Sequence, residues 1–279
     1  MRIRPLEPAD LDAALALTQA EGWSHRRADW QLHMQLGKGW AACADDGTIG
    51  GVALWWDYGG QLGTIGLVVV GRSRRGEGVG RILMKVILDD TGERPLRLVA
   101  TSVAVPLYRQ FGFIDCGGIV QLQGILEVPP DLETAPVVNL RPVAALDLRS
   151  LCELDAVAFG ARRDNLIGTV LERGAGFLAE LDGNVIGFAL TRASGHGTLI
   201  GPVIAGNQEM ARVLIAQNLG TLRGFVRVDV PSDATELVEW LKSVGMQSVD
   251  TYTAMSRGDP RVKPEGTASV FGLVSQAFG

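Results

Sequence analysis

The sequence predicts an α/β (α+β) protein of two tandem domains, each with a mixed, mostly antiparallel sheet flanked by helices. The first observation is the length of 279 residues, which exceeds the ~150 residues of a typical single domain. The second is a composition of 47% hydrophobic and 20% charged residues, which supplies cores of ordinary size. The third is that segments of the first half recur in the second half.

The repeat consists of four pairs of segments that match in the same order at offsets of 137, 136, 134 and 133 residues. The pairs are "RIRPLEPADLDAALAL" (from Arg2) with "NLRPVAALDLRSLCEL" (from Asn139), "DGTIGGVAL" (from Asp46) with "DGNVIGFAL" (from Asp182), "GTIGLVVV" (from Gly63) with "GTLIGPVIA" (from Gly197), and "YRQFGF" (from Tyr108) with "LKSVGM" (from Leu241). Hairpins and turns look alike in many α/β proteins, which is the competing interpretation. The nearly constant offset favours a true repeat.

Each half is therefore predicted to have the same elements in the same order. A short strand leads into one or two amphipathic helices, and a β-hairpin follows whose Asp-Gly turn accepts a positive φ. Next come a buried apolar strand, a turn, a helix, and the strand "PLRLVAT" or "GFVRVDV". A last helix ends at Gly112 or Gly245, which suits a left-handed C-cap.

The boundary between the halves is predicted near residue 130, in the proline-rich and acidic segment "EVPPDLETAPVV". We expect a first domain over 1–128, a second over 136–257 and a C-terminal tail over 258–279. In the tail, "SRGDPRVKPEG" is predicted to be a loop. The final "TASVFGLVSQAFG" is apolar enough to pack back on the protein, and the sequence indicates no role for it.

The composition argues against several classes of protein. A net charge of −5 and a pI of about 5.3 disfavour nucleic-acid binding, which normally requires a basic surface. The three cysteines are scattered without a CxxC motif and indicate reduced thiols. The three histidines lack metal-ligand spacing, so no metal is expected. No signal core or membrane-length apolar run occurs, which predicts a cytoplasmic protein without a membrane partner.

The most specific local pattern is "RRGEGVG" (Arg74 to Gly80), between the apolar run "TIGLVVV" and the helical "RILMKVILDD". A Walker A loop would need GxxxxGK[ST], and a dinucleotide loop would need GxGxxG after the first strand of a βαβ unit. Neither matches. The pattern R-x-x-G-x-G/A fits 75–80, where glycines let the backbone approach phosphates and the helix start supplies N–H donors. A glycine-rich connection with solvated arginines is the alternative.

Two segments carry a resemblance to a known family. "VVVGRSRRGEGVGRILM" and "LVATSVAVPLYRQFGF" resemble motifs A and B of the GNAT (Gcn5-related) N-acetyltransferase superfamily, over roughly residues 2–126. The whole chain is similar to tandem-GNAT proteins of the YitH type. The resemblance implies an N-acetyltransferase that transfers an acetyl group from acetyl-CoA to a primary amine of a small molecule, through a ternary complex and without a metal.

The resemblance also implies where acetyl-CoA would bind. Its pantetheine arm would add to the strand edge at 68–70, with a backbone N–H near Val69 or Val70 facing the thioester oxygen. Further positive potential would come from Arg72 and Arg74, and Glu77 would face away through its side chain. The implied acetyl-CoA residues are Val68, Val69, Val70, Arg75, Gly76, Glu77, Gly78, Val79, Gly80 and Arg81.

The implied general acid is Tyr108. A phenol with a pKa of ~10 is matched to a thiol leaving group with a pKa of ~8.5–10. An ordinary half-buried aromatic residue is the alternative.

The second half lacks both features. It has "IAGNQEMAR" in place of the glycine loop, with Glu209 where the first half has basic residues, and Leu241 aligns with Tyr108. We therefore predict one acetyl-CoA per chain, bound by the first half. The second half would shape the acceptor pocket or a dimer, and a homodimer stays open.

The acceptor site is predicted near the hairpin "GGVALWWDYGG" and the segment "EGWSHRRADW". The candidate residues are Trp23, His25, Trp55 (or Trp56), Asp57 and Tyr58. Core tryptophans, a solvated hairpin tip and a surface histidine are the alternatives. Asp155 could face the cleft from the second half, or it could be an acidic residue near a helix N-terminus on a solvated face. The identity of the general base stays open.

Two other functions compete with a small-molecule acetyltransferase. A non-catalytic acetyl-CoA sensor would use the same loop without turnover, and the tyrosine at 108 disfavours it. A protein N-acetyltransferase would need a peptide groove, of which the sequence gives no sign.

Overall fold

The structure is a computed structural model, and it describes residues 1–125, 138–258 and 268–279. The first half contains β1 (Arg2–Pro5), α1 (Leu11–Ala20), α2 (Arg27–Leu36), β2 (Lys38–Cys43), β3 (Ile49–Tyr58), β4 (Leu62–Val70), α3 (Val79–Thr91), β5 (Leu96–Ala100), α4 (Val105–Arg109) and β6 (Ile114–Ile125). The second half contains β7 (Asn139–Pro142), α5 (Leu148–Phe159), α6 (Asp164–Glu172), β8 (Gly174–Leu181), β9 (Asn184–Ser194), β10 (Gly197–Ala205), α7 (Gln208–Thr221), β11 (Phe225–Pro231), α8 (Thr235–Ser243), β12 (Gln247–Arg257) and β13 (Ser269–Gly272).

The two halves have the same order of elements up to β12, which confirms the predicted repeat; β13 has no counterpart in the described part of the first half. The predicted linker falls almost wholly in 126–137, outside the described residues, as does most of the predicted loop, at 259–267. The start of that loop was predicted wrongly. Ser256 and Arg257 belong to β12, because they pair with Arg97 and Leu96 of β5.

The strands form one continuous sheet in the order β1-β2-β3-β4-β5-β12-β6-β11-β10-β9-β8-β7, with β13 paired to β10. The pairs β4–β5 and β10–β11 are parallel, and the other pairs are antiparallel. This confirms mixed, mostly antiparallel sheets. The last strand of each half crosses over: β6 pairs with β11, and β12 pairs with β5. The halves are therefore joined within one chain.

A hydrophobic cluster is shared between the halves. It includes Trp30 and Trp56 from the first half and Phe159 and Phe188 from the second, all buried. Phe278 from the C-terminal segment completes it, fully buried, stacked on His33 with ring centroids 4.5 Å apart. Because the cluster spans both halves, its burial stabilises their relative arrangement as well as each half.

The segment 268–279 packs back on the protein, as its apolar composition predicted. After β13 it runs between the halves, where Arg163 donates hydrogen bonds to the carbonyl oxygens of Phe278 (3.2 Å) and Gly279 (2.7 Å). Arg163 is itself held by Asp155 through two hydrogen bonds of 2.7 and 2.9 Å. Asp155 thus lies in a buried ion pair, and neither a solvated face nor the cleft describes its position.

Candidate active site

The strands β4 and β5 separate after a short parallel pairing. They pair only from Gly63 to Ile65 on β4. Next, β4 holds one extra residue against β3, and Leu67 has a φ of 51°. This is a β-bulge, which bends a strand and ends its regular pairing. Among the described strands, none pairs with β4 on its β5 side over 66–70, so these backbone groups form an edge to which an extended ligand can bind.

The loop after β4 has the backbone that its glycines predict. Gly76 and Gly78 have φ values of 82° and 78°, in the left-handed region that side chains with a Cβ disfavour. Gly78 is the N-cap of α3 and supplies no side-chain cap, so the first N–H groups of this helix lack such an acceptor. A Cβ at either glycine would meet no heavy atom within 4 Å. The loop is an open cradle suited to a pyrophosphate.

The arginines of the loop are paired at its rim. The contacts join Arg72 and Arg75 to Glu21, Arg74 to Glu77 (3.7 Å) and Arg81 to Gln110 (2.7 Å). The hydrogen bond from Arg75 lowers the pKa of Glu21, so that this carboxylate stays charged. The side chains of Arg72 and Arg75 remain more than half exposed. An anion in the cradle would compete with Glu21 for them.

Tyr108 lines a cavity at the point where β4 and β5 separate. The side chain, on α4, is 6% exposed and meets Phe113 edge-on, with centroids 6.0 Å apart. Within the described residues its hydroxyl has no hydrogen-bond partner. Burial raises the pKa of Tyr108 above its ordinary value, so the phenol is protonated at neutral pH and is a weaker acid than a free phenol.

The cavity has a volume of about 220 Å³ and is lined by both halves. The first half contributes the β4 bulge, Thr101, Tyr108 and the segment 22–25. The second half contributes Arg192 from β9, Arg227 from β11 and Tyr252 from β12, and the C-terminal segment contributes 275–277. The second half therefore forms one wall of a cavity that opens at the strand edge of the first.

Of the predicted acceptor residues, Trp23 and His25 line this cavity. The structure does not bring Trp55, Asp57 and Tyr58 to it. The hairpin ends beside β4, as expected, but its tip lies away from the part of β4 that lines the cavity. Because β3 and β4 are antiparallel, their turn lies at the start of β4, opposite Val68–Val70.

The three hairpin residues make structural contacts instead. Trp55 donates a hydrogen bond to Asp90 (2.7 Å), and Asp57 lies 3.4 Å from Arg94 in an ion pair. Tyr58 donates to the carbonyl oxygen of Phe278 (3.0 Å). These contacts stabilise the hairpin and the C-terminal segment.

Two histidines on the cavity wall are neutral. Burial lowers the pKa of His25 to about 4 and the pKa of His33 well below its ordinary value. The Nδ1 atoms of both are buried without a hydrogen-bond partner. Neither imidazole is suited to take a proton near neutral pH, because a general base works best with a pKa near the working pH.

The cavity residues of the second half, foremost Arg192 and Arg227, were not among the predicted site residues. A signal was present: each arginine lies in a strand that is mainly apolar, in "GFALTRAS" and "FVRVDV". Charged side chains are rarely fully buried unless they are paired. An arginine within an apolar strand therefore points to a buried ion pair or a binding site.

In the second half the corresponding strand edge is occupied. Its strands β10 and β11 also pair only briefly, over Thr198–Ile200, and β10 has a bulge. The edge at 203–205, which corresponds to 68–70, is paired with β13. The backbone N–H of Leu273 also donates to the carbonyl oxygen of Asp229 on β11 (2.9 Å). The chain's own strand thus occupies the edge that is open in the first half.

The helix start and the acid differ as well. Asn207 caps α7, where its side chain accepts a hydrogen bond from the N–H of Met210 (2.8 Å), and Glu209 lies in the first turn. Leu241 is fully buried in the core. A cavity of about 880 Å³ lies beside β13, and no tyrosine occurs among its described lining residues.

Two further observations concern the described residues alone. They contain no group of histidine, cysteine and acidic side chains that could hold a metal ion. None of their helices is both long and apolar enough to cross a membrane.

Comparison with known proteins places both halves in one superfamily. Residues 9–113 match the acetyltransferase (GNAT) family, and residues 151–272 match an acetyltransferase (GNAT) domain. The chain is 27% identical over 223 residues to the uncharacterized N-acetyltransferase YitH of Bacillus subtilis (strain 168), covering 79% of this chain and 78% of that protein.

Solved structures show the same fold. A putative acetyltransferase from Pyrococcus horikoshii superimposes with a TM-score of 0.81 at 21% identity, covering 100% of this chain and 95% of that one. A tandem GNAT protein from the clavulanic acid biosynthesis pathway superimposes with a TM-score of 0.63 at 12% identity, covering 94% and 99%. With matches in both halves and the glycine loop and tyrosine in the first, the chain belongs to the GCN5-related N-acetyltransferase (GNAT) superfamily of acyltransferases, as a tandem-GNAT protein.

Proposed function

We propose that this acetyltransferase moves the acetyl group of acetyl-CoA to the primary amine of a small molecule, with one acetyl-CoA bound per chain. The observation that carries the proposal is that the unpaired edge of β4 and Tyr108 line one cavity. The open glycine cradle follows the same strand along the chain, just before α3.

The residues of the first half fit acetyl-CoA. The backbone N–H groups of 76–80, with Arg75 and Arg81 beside them, would hold the pyrophosphate. The edge at 68–70 would bind the pantetheine amides. When bound, acetyl-CoA supplies an activated acetyl thioester. A backbone N–H of Val69 or Val70 would stabilise the negative charge that develops on the thioester oxygen during attack.

Tyr108 would act as the general acid. In the transfer, a C–N bond forms between the amine and the acetyl carbon, and the thioester C–S bond breaks. The hydroxyl of Tyr108 gives its proton to the departing sulfur and is reprotonated from solvent, which receives the proton that the amine loses. Burial raises the pKa of this phenol, which keeps it protonated but makes it a weaker acid than a free phenol. Proton transfer is therefore expected late, when the sulfur has gained most of its negative charge.

The shape of the cavity supports a small acceptor and direct transfer. The strand edge for the donor and the wall built by the second half face the same space of about 220 Å³. Drug-sized ligands usually occupy pockets of ~300–1,000 Å³, so a smaller molecule fits here better than a peptide chain. Donor and acceptor would be held together in a ternary complex, in which proximity lowers the barrier.

The test is release of CoA thiol over a panel of small primary amines, with the parent protein and Tyr108→Phe. We expect the substitution to lower kcat by ~100-fold or more, while the Kd for acetyl-CoA measured by calorimetry stays the same. Tyr58→Phe is the matched control, since Tyr58 is a buried tyrosine outside the cavity, and it should keep its turnover.

Two outcomes would contradict the proposal. Unchanged kcat in Tyr108→Phe would remove Tyr108 from the chemistry. Tight acetyl-CoA binding with no thiol release from any amine would instead favour a non-catalytic acetyl-CoA sensor.

A further inference from the structure

Arg192 on β9 lines the cavity with its hydrogen-bonding capacity largely unused. The residue is 4% exposed. Its closest hydrogen bonds are long: Nη2 donates to the carbonyl oxygen of Val274 at 3.3 Å and Nη1 to that of Ala193 at 3.5 Å. Its Nε is buried without a partner. A guanidinium has five N–H donors, and leaving buried donors unpaired is costly.

Two other arginines show what a satisfied guanidinium looks like in this protein. Arg163, which is equally buried, makes hydrogen bonds of 2.7 and 2.9 Å with Asp155 and two more with backbone carbonyls. Arg227, on the same cavity wall as Arg192, is bound by Asp229 at 2.9 and 2.8 Å. The poor pairing of Arg192 is therefore a local feature and not a general property of buried arginines here.

The carboxylate nearest to Arg192 is already committed. Asp29 lies 3.7 Å from Nη1 of Arg192, beyond hydrogen-bond range. The same carboxylate accepts hydrogen bonds from the side chain of Arg26 (3.0 and 3.1 Å) and from the backbone N–H of Gly195 (3.1 Å). Burial lowers the pKa of Arg192 to about 10, against the pull of Asp29, and at neutral pH the group stays charged.

The wall around Arg192 therefore carries an excess of positive charge. Arg26 and Arg227 are each balanced by an aspartate, and His25 and His33 are neutral. The only carboxylate near the charge of Arg192 among the described residues is Asp29, which lies 3.7 Å away and is already bound to Arg26. A carboxylate in the cavity would satisfy its donors and its charge together, since the planar guanidinium matches a carboxylate in two parallel hydrogen bonds.

We propose that the acceptor amine also carries a carboxylate group, and that Arg192 of the second half binds this carboxylate while the amine faces the acetyl donor. The inference rests on the proposed function. Arg192 and Tyr108 both line one cavity of about 220 Å³, so a molecule of amino-acid size can contact both. A polyamine would place a second cation beside Arg192, and a neutral amino sugar would leave its charge unbalanced.

The inference also assigns a role to the second half. The position that corresponds to Arg192 in the first half, at the offset of 136 residues, is Trp56. Trp56 is buried in the core and donates a hydrogen bond to the carbonyl oxygen of His33 (3.1 Å). The same strand position thus fills the core in one half and, in the other, presents a cation to the active site of its neighbour.

The first experiment uses the parent protein and needs no substitution. It compares kcat/KM for sets of matched amines: an α-amino acid, its carboxamide and the amine that remains when the carboxylate is removed. We expect a preference of ~10-fold or more for the carboxylate. Equal kcat/KM within each set would overturn the inference and leave the proposed acetyltransferase in place.

The second experiment changes the arginine. Arg192→Gln should abolish the preference through a higher KM for the amino acid, with the Kd for acetyl-CoA unchanged, and Arg192→Lys should keep part of it. Arg173→Gln is the control, because Arg173 is an exposed arginine of the same half that binds Gln35 (2.6 Å). A preference that survives in folded Arg192→Gln would overturn the role of Arg192. If that variant does not fold, the comparison of matched amines with the parent protein still tests the inference.

A binding measurement separates the two proposals. Calorimetry with CoA present compares an N-acetyl amino acid with its carboxamide, without requiring turnover. Tighter binding of the carboxylate, lost in Arg192→Gln, supports the site even if the panel contains no good substrate. Equal binding of the two would contradict it. Absence of thiol release from every amine is a failure of the proposed function alone.

Discussion

The two clefts of this tandem protein have the same scaffold and opposite contents. In the first half, the edge of β4 beyond its bulge is unpaired among the described strands; in the second, the equivalent edge of β10 is paired with β13. One cleft is open to a ligand with an extended backbone. In the other, the chain supplies that backbone itself.

The helix starts differ in the same sense. Gly78 leaves the first N–H groups of α3 without a side-chain acceptor, whereas Asn207 caps α7. A cap satisfies the donors that an anion would otherwise bind. The same N–H groups therefore cannot be bound both by a capping side chain, which stabilises the helix, and by a phosphate. The duplicated fold has kept one of each, which indicates a division of labour between its halves.

The most direct test of this difference between the halves is the number of acetyl-CoA molecules bound per chain. We expect one acetyl-CoA per chain, because the second half offers neither a free strand edge nor an uncapped helix start. Isothermal titration with acetyl-CoA gives the stoichiometry directly, and desulfo-CoA serves as a control that the thioester is not consumed. Two sites per chain would show that the pairing of β13 with β10 does not prevent acetyl-CoA from binding to the second half.

The sequence was sufficient for the parts of this contrast that are local. The glycine loop and the Asp-Gly turns depend on residues close together in the chain, and their backbone angles follow from them. The crossover of β6 and β12 and the position of β13 depend on pairing between distant segments, such as Ala205 with Ser269. No local pattern distinguishes a strand that pairs with its own half from one that crosses over.

The acceptor site also depends on contacts between distant segments that local sequence patterns do not reveal. Trp23 and His25, which were chosen from their position in the motif, line the cavity, whereas the hairpin residues Trp55, Asp57 and Tyr58 do not. Arg192 could not be placed, since its role arises only when β9 of the second half faces the cleft of the first. Residue type predicted chemistry within a segment; contact between the halves determined which residues share a site.

The loop itself offers the next largest effect. Replacing both Gly76 and Gly78 by alanine forces two residues with a Cβ into left-handed conformations, at ~1–2 kcal/mol each, and should raise the Kd for acetyl-CoA by ~10-fold or more. Gly206→Ala is the matched control in the second half, since Gly206 opens the corresponding loop without a positive φ or a neighbour within 4 Å of its added Cβ. Fluorescence or calorimetric titration would measure both.

The comparison fails if the two loops respond alike. An unchanged Kd in the double variant would mean that the cradle does not hold the donor. Weaker binding in Gly206→Ala would mean that the second loop takes part.

The smallest expected effect is a pH dependence of the free energy of unfolding, which arises from the two histidines of the cavity wall. The folded-state pKa values of His25 (about 4) and His33 lie below the ordinary value of 6.5, so the unfolded chain takes up these protons first. Stability is therefore full above pH ~7 and falls as the pH drops from ~7 towards 4, by up to ~1.4 kcal/mol per pH unit for each histidine. Buried carboxylates with lowered pKa values, such as Asp29, add to the loss mainly below pH ~5.

Urea unfolding at pH 7, 6 and 5 measures this slope above the range of the carboxylates. His25→Gln should reduce the slope by up to half. The substitution removes one of the two imidazoles that take up a proton in the unfolded chain but not in the folded protein. His196→Gln, at an exposed histidine of the second half, is the control and should leave the slope as it is in the parent. A slope that stays the same in His25→Gln would mean that His25 is solvated and accessible to protons. The wall beside Arg192 would then be wetter and its charge better screened than the buried contacts indicate.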